Sequence, residues 1–149
     1  MIERALLALV LAVAAGVVAL VLRRRQQTEA PTQPSFHAPA QLDRREFARP
    51  EAPWLVALFS SATCDSCALM REKVAALASD AVAVDDVEVG ARHEVHRRYA
   101  IDAVPIVCVA DADGVVRASF VGPVSATDLW AAVAEARDPG SSPEPHLGR

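Results

Sequence analysis

The chain has 149 residues with a formal net charge of -4 at pH 7, and 52% of its residues are hydrophobic. This length favours one domain with its own core, and the scattered charges lack the basic patch that binding a nucleic-acid partner requires. The three cysteines are too few for a disulfide-stapled secreted scaffold and point to thiol chemistry or metal binding.

The chain begins with an apolar segment, residues 5–22, that contains no charged or strongly polar side chain. As a helix it is just long enough to cross a bilayer, so we expect a transmembrane helix within an anchor of residues 1–25. A cleavable signal peptide is the alternative, because residues 12–14 have the small-x-small form of a cleavage site. Cleavage there would leave an apolar mature end, and the stop-transfer flank Arg23–Arg25 favours the anchor.

Basic residues are distributed unevenly about this apolar segment. Arg4 precedes it, whereas Arg23–Arg25 follow it directly. The positive-inside rule therefore predicts a single-pass protein of the cell membrane with its C-terminal domain in the cytoplasm. Long domains can be exported despite this rule, so an extracytoplasmic domain remains the alternative.

Two polar segments flank the predicted domain. Residues 26–40 are rich in Gln, Thr, Pro, Ser and Ala, a composition that predicts a flexible linker. Residues 139–149 are rich in proline, glycine and serine and predict a disordered tail. The folded domain is therefore assigned to residues 41–138.

The first half of this domain predicts a strand followed by a helix. Asp43 can cap a short helical segment that reaches Phe47. Residues 54–59 are an apolar run typical of a central strand buried on both faces. A helix then begins near Cys64, because apolar side chains recur at helical spacing at Met70, Val74 and Leu77.

The second half predicts a strand, a short helix, a hairpin and a last helix. Val82, Val84, Val87 and Val89 are β-branched and nearly alternate, which predicts a strand. Val95 and Tyr99 share a helical face after them. Residues 106–109 and 115–121 read as the two strands of a hairpin with its turn at 111–114. Ser125 and Asp128 resemble a capping box that starts the last helix, whose predicted buried face is Leu129, Trp130 and Val133.

The element order β-α-β-α-β-β-α, with a Cys64-x-x-Cys67 pair after the first central strand, resembles the thioredoxin fold over residues 41–138. Val104-Pro105 resembles the cis-proline step of that family, and Gly114 and Gly122 stand where it has glycines. These features together are far more specific than a lone Cys-x-x-Cys motif. The resemblance implies an α/β thioredoxin-like fold, with a central mixed sheet flanked by helices and preceded here by one N-terminal transmembrane helix.

The resemblance also implies thiol-disulfide oxidoreduction on protein dithiols and disulfides at the membrane, without a cofactor. A helix N-terminus stabilises a thiolate, so Cys64 is the expected nucleophile and Cys67 the resolving thiol. Pro105, if cis as the resemblance implies, would turn a backbone edge without an N–H toward the sulfurs and the backbone of Val104 toward a bound peptide. We assign substrate binding to Val104, Pro105 and Thr63.

Three departures from the family pattern predict a slower and more selective exchanger. Leu58 stands where thioredoxins have a buried Asp that is thought to accept the proton of the resolving cysteine. Thr63 replaces the usual aromatic residue and can serve as the helix N-cap. Asp65 should oppose the helix dipole and disfavour the Cys64 thiolate.

Two other functions remain open from the sequence. The pair can be a static disulfide in a redox-silent thioredoxin-like module that binds a membrane partner. Less favoured is a copper or zinc site formed by Cys64, Cys67, His93 and His96, because the histidine spacing is unusual for zinc and such a pair on a surface helix is more often solvated. We therefore assign no metal ligands. Cys108, Trp54 and Trp130 are interpreted as core residues.

Overall fold

This computed structural model describes residues 36–141. The predicted anchor with its apolar segment 5–22 lies outside the described residues, as do most of the predicted linker and residues 142–149. Within residues 36–141, no helix is both long enough and apolar enough to span a membrane.

The described residues contain a mixed sheet of four strands, which are β1 (Trp54–Ser60), β2 (Val82–Glu88), β3 (Ile106–Ala110) and β4 (Val116–Val121). Their order across the sheet is β2-β1-β3-β4. β1 is parallel to β2 and antiparallel to β3, which is also antiparallel to β4. β1 therefore has a neighbour on each side, and the prediction of a central strand is confirmed.

Three helices and one short 3-10 turn complete the described fold: the turn Arg44–Glu46, α1 (Asp65–Ala75), α2 (His93–Arg98) and α3 (Ala126–Arg137). The predicted caps are present, because the side chain of Asp43 accepts from the Arg45 N–H and that of Ser125 from the Asp128 N–H. The predicted element order is confirmed.

Successive residues of β1 project to opposite faces of the sheet, and each face carries its own core. Leu58 packs in one cluster with Met70 of α1 and Leu129 of α3. Phe59 belongs to the other cluster, against which Val95 of α2 packs. Helices α1 and α3 therefore cover one face of the sheet, and α2 covers the other.

The β3–β4 hairpin closes in a tight turn at Gly114, which has φ of +80°. Its carbonyl accepts a hydrogen bond from the Leu42 N–H at 2.8 Å. A Cβ at this position would lie 1.9 Å from the Leu42 carbonyl oxygen. Glycine is therefore required both by the backbone conformation and by the close approach of the segment before the first strand.

The prediction that Trp130 belongs to the core is wrong. The buried side chains of α3 are Leu129, Ala132 and Val133, which recur at the spacing of one helical face. Trp130 follows Leu129 by about 100° of rotation and is 48% exposed. Trp54 is half-buried and does pack against the core cluster.

Candidate dithiol active site

The cysteine pair lies at the N-terminus of α1, directly after the loop that leaves β1. Cys64 is the N-cap residue, and its Sγ accepts a hydrogen bond from the Cys67 N–H at 3.1 Å. The expectation that Thr63 caps this helix is therefore wrong, because the sulfur occupies the position in which a capping oxygen usually accepts. Thr63 is exposed, and its hydroxyl forms a hydrogen bond of 3.1 Å with that of Ser61.

Cys64 and Cys67 are joined by a disulfide, with their Cα atoms 5.2 Å apart. The two cysteines differ sharply in exposure, since Cys64 is half-buried whereas Cys67 is fully buried. Cys67 faces the core from the first turn of α1. Of the two cysteines, only Cys64 is therefore accessible to a molecule that arrives from solvent.

The Val104–Pro105 peptide bond is cis, as the resemblance implies, and it leads directly into β3. Ile106, the first residue of β3, is paired in register with Phe59 near the end of β1. Because β1 and β3 are antiparallel, this cis step and the loop to Cys64 lie at the same edge of the sheet. The Pro105 carbonyl also accepts from the Gly122 N–H at 2.8 Å, which ties the end of β4 to this edge.

A polar network that the sequence analysis missed lies beside the dithiol helix. Arg71 of α1 donates from Nε to Asp86 Oδ2 at 2.6 Å and from Nη2 to Ser60 Oγ at 3.1 Å. The Ser60 hydroxyl donates to Asp86 Oδ1 at 2.5 Å, and Ser60 is fully buried at the end of β1. The network therefore links α1, β1 and β2 at the point where the active-site loop begins.

Glu88, at the end of β2, holds the middle of the same loop. Its carboxylate accepts from the Ala62 N–H at 3.1 Å and from the Ala91 N–H at 2.9 Å. Hydrogen bonds from the backbone N–H groups of Gly90, Ala91 and Ala62 hold the pKa of Glu88 below its usual value. Glu88 therefore fastens the loop before Cys64 to β2 directly, whereas Asp86 is linked to this loop through Arg71.

The sequence contained a weak signal for these residues. Arg71 follows Cys67 by four residues, a spacing that places both side chains on one helical face. Asp86 and Glu88, together with Asp85, are acidic residues in a strand that otherwise contains only valine and alanine. Neither observation identifies the partner of each charge, because the partners are set by the register of β1 against β2.

Leu58 and Cys108 are uncharged residues of the core. Leu58, which replaces the family's buried Asp, is 1% exposed and packs with Met70 and Val74 of α1. Cys108 is a free thiol in the core on the opposite face, as predicted, and burial raises its pKa to about 12. A thiol with such a pKa is protonated and unreactive at neutral pH.

The structure does not assemble the alternative metal site. His96 is buried, and its Nε2 is 2.7 Å from the Val87 carbonyl oxygen, so the expectation of a solvated histidine pair is wrong for this residue. His93 is exposed. Both histidines belong to α2, on the face of the sheet opposite α1. Among residues 36–141, no three His, Cys, Asp or Glu side chains are grouped to hold a metal ion.

No protein-family model and no curated protein matches the chain. A mutant thioredoxin from Halobacterium salinarum NRC-1 is similar to it, with 22% identity and a TM-score of 0.51 over 58% of this chain and 76% of the other. A thioredoxin-fold protein from Helicobacter pylori is similar with 13% identity and a TM-score of 0.50, over 65% of this chain and 84% of the other. The chain therefore has an α/β thioredoxin-like fold, with a Cys64-x-x-Cys67 pair at the start of its first helix.

Proposed function

We propose that this protein is a thiol-disulfide oxidoreductase that acts on protein dithiols and disulfides through Cys64 and Cys67. The observation that carries this proposal is the asymmetry of the pair. Cys64 is half-buried and its sulfur caps a helix, whereas Cys67, one turn later, is fully buried. A static structural disulfide does not require one accessible sulfur at a helix N-terminus.

In the reductive direction, the Cys64 thiolate attacks one sulfur of a partner disulfide. A mixed disulfide forms, and the partner's second sulfur leaves as a thiolate that takes up a proton. Cys67 then loses its proton and attacks the Cys64 sulfur, which releases the partner as a dithiol and leaves the Cys64–Cys67 disulfide. The hydrogen bond from the Cys67 N–H to Cys64 Sγ and the positive end of α1 favour the Cys64 thiolate when the pair is reduced.

We assign docking of the partner's backbone to the edge formed by Val104, Pro105 and Thr63. Pro105 is buried and has no N–H, so the backbone groups of the half-buried Val104 next to it are the ones that we assign to a bound peptide. Thr63 precedes the half-buried Cys64 in the chain and is exposed. An extended segment of the partner lying between them would bring its disulfide to the accessible sulfur.

We further propose that residues 5–22 anchor the protein as a single-pass helix and that the domain lies in the cytoplasm. The length of the apolar segment and the excess of arginine after it support this arrangement. In a reducing cytosol the resting pair would be the dithiol, which suits a reductase.

A redox-silent module that binds a membrane partner is the second candidate function. The observation that favours it is Leu58, which leaves the face of β1 beneath α1 without the buried carboxyl of the family. Such a module would retain the fold and the surface around Pro105 but would exchange no disulfides.

Trapping of mixed disulfides separates the two functions. Replacing Cys67 by Ser removes the resolving thiol, so Cys64 should remain bonded to its partners, and adducts that disappear on reduction should accumulate. Cys64→Ser is the matched control, because it retains the other cysteine of the pair but should trap few partners or none. The three proteins are compared in their native membrane by non-reducing electrophoresis after acid quenching. If Cys67→Ser traps nothing and the wild type shows no exchange in solution, the oxidoreductase proposal is wrong.

A further inference from the structure

The guanidinium group of Arg71 joins three segments around the dithiol. Besides its bonds to Asp86 and Ser60, Nη2 donates to the Ser61 carbonyl oxygen at 3.2 Å. That same carbonyl accepts from the Cys64 N–H at 3.3 Å. One oxygen atom therefore connects Arg71 to the backbone of the nucleophilic cysteine.

Arg71 is also fixed relative to the second cysteine. It follows Cys67 by one turn of α1, so the helix itself sets the distance between the two residues. Arg71 thus contacts the loop that carries Cys64 while sharing a rigid helix with Cys67. Its contacts therefore restrict the position of Cys64 relative to Cys67 even when no disulfide bond joins them.

We infer that Arg71 is a positioning residue that keeps Cys64 close to Cys67 after the disulfide has been reduced. This inference rests on the proposed function, in which the pair alternates between disulfide and dithiol. Reduction breaks the S–S bond with two electrons and two protons, and the loop 61–63 then depends on its remaining contacts. By holding that loop, Arg71 raises the effective concentration of one thiol at the other, which favours closure of the disulfide.

The positive charge of Arg71 would act in the opposite direction, since a nearby cation stabilises a thiolate and therefore the reduced form. The Asp86 carboxylate lies 2.6 Å from Nε and neutralises most of that charge. The side chains of Arg71 and Asp86 are 33% and 37% exposed, so solvent screens what remains. We therefore expect the restraint of the loop, which favours the disulfide, to outweigh the effect of the charge, which favours the dithiol. The direction in which an Arg71 variant shifts the redox equilibrium distinguishes the two effects.

The test is the equilibrium of the full-length chain with glutathione. Two glutathione thiols reduce the Cys64–Cys67 disulfide to two protein thiols and form one glutathione disulfide, so the fraction of oxidised protein in a fixed buffer gives the equilibrium constant. In Arg71→Met we expect the constant for disulfide formation to fall by roughly three- to tenfold. Arg71→Lys retains the charge but cannot span Asp86 and the Ser61 carbonyl, so it should show most of the same fall.

Arg117→Met is the matched control. Arg117 lies on β4 and forms an ion pair of 2.6 Å with Asp111, so this variant also loses an arginine and an ion pair but should leave the redox equilibrium unchanged. Unfolding by urea, measured in both redox states, adds a second readout. Arg71→Met should destabilise the oxidised form more than the reduced form, because in the reduced form the loop regains conformational freedom, which offsets part of the loss. If Arg71 contributed only packing, its loss would destabilise both forms equally.

An unchanged equilibrium in Arg71→Met, or a shift toward the disulfide, would overturn the positioning role. A lysine variant that behaves as the wild type would overturn it as well, since charge alone would then suffice. The measurement involves no protein substrate, so the two proposals fail separately. If the wild type exchanges no substrate disulfides but Arg71→Met shifts the glutathione equilibrium, only the proposed function is contradicted. If exchange is normal but Arg71→Met leaves the equilibrium unshifted, only this inference is contradicted.

Discussion

Leu58 on β1 lies in register with Asp86 on β2, across the parallel pairing of the two strands. Both residues line one surface cavity of about 290 Å³, together with Arg71 and Val74 of α1. Leu58 contributes an apolar wall to this cavity, whereas Asp86 is engaged by Ser60 and Arg71. The carboxylate of this cavity is thus on the neighbouring strand, and not at the position where thioredoxins have a buried Asp.

We predict that Leu58→Asp speeds disulfide exchange and destabilises the fold by about 2–4 kcal/mol, because an ionisable group replaces a buried leucine. Burial and the neighbouring Asp86 would raise the pKa of the introduced carboxyl toward neutrality, where it can accept the proton of Cys67. Reduction of insulin disulfides near pH 7 compares the two proteins. Leu58→Asn is the control for size and polarity, and it should be destabilised without a gain in rate.

An equal gain in the asparagine variant would attribute the effect to altered packing. No gain in the aspartate variant, with its fold intact, would mean that another group already serves as the base for Cys67.

A second prediction concerns Cys108, whose pKa is raised from 9.0 to about 12 by burial. Between these values the folded state retains a proton that the unfolded state releases, so alkali favours unfolding. This contribution is fully present below about pH 9 and is lost as pH rises toward 12. The free energy of unfolding should therefore fall by up to about 1.4 kcal/mol per pH unit from this one thiol.

Urea unfolding of the oxidised protein at pH 8 to 10.5 measures this slope, because the disulfide removes the other two thiols from the titration. Cys108→Val is the matched variant, being apolar and close in size, and its slope should be smaller by the amount due to Cys108. Tyr99, whose pKa is also raised to about 12, contributes equally to both proteins. Identical slopes in the two proteins would contradict the prediction.

The element order was predictable because burial imposes a period on the sequence. The six apolar residues of 54–59 predicted a strand buried on both faces, and in the structure each face of β1 packs in its own core cluster. The Cys64-x-x-Cys67 pair and the Val104-Pro105 step were found because each is a local motif. Local chemistry and periodicity are the two properties that a single sequence displays directly.

The errors arose where a small rotation or a backbone atom decided the outcome. Leu129 and Trp130 are adjacent, and the hydrophobic pattern alone does not show which of them lies at the border of the buried face. His96 is buried because the Val87 carbonyl offers it a hydrogen bond. The Val87 carbonyl lies next to His96 because of the way the chain turns between β2 and α2, and the residue pattern does not predict the geometry of that turn.

The network around Arg71 was missed because its members are distant along the chain. Arg71 and Asp86 are 15 residues apart, and Ser60 and Asp86 are 26 apart. They meet only once β1 has paired with β2 in its observed register. A register is a property of two strands together, so no inspection of either strand alone identifies these partners.

A third prediction concerns the side of the membrane. With three arginines directly after the apolar segment and one before it, a reporter that requires export should be inactive when fused after Gly140. Replacing Arg23, Arg24 and Arg25 by glutamine should increase export of the same fusion, which provides the matched comparison. An active reporter in the unaltered chain would place the domain outside the cytoplasm and favour a role as an extracytoplasmic reductase or thiol oxidase.

The last prediction uses two glycines that share a backbone conformation but differ in surroundings. Gly114 has φ of +80° and Gly122 has φ of +90°, so alanine at either position carries the penalty of the left-handed region, about 1–2 kcal/mol. A Cβ at Gly114 would also lie 1.9 Å from the Leu42 carbonyl oxygen, whereas at Gly122 no atom lies within 4 Å. Gly114→Ala must therefore push the segment before the first strand away from the hairpin.

We expect Gly114→Ala to lower the free energy of unfolding by at least about 2 kcal/mol more than Gly122→Ala does, because the hydrogen bond from Leu42 to the Gly114 carbonyl is lost together with the close packing around it. Urea unfolding of the oxidised proteins at pH 7 measures both losses. Equal losses in the free energy of unfolding would mean that backbone conformation alone determines the requirement for glycine. The segment around Leu42 would then move away from the added Cβ at no cost in stability.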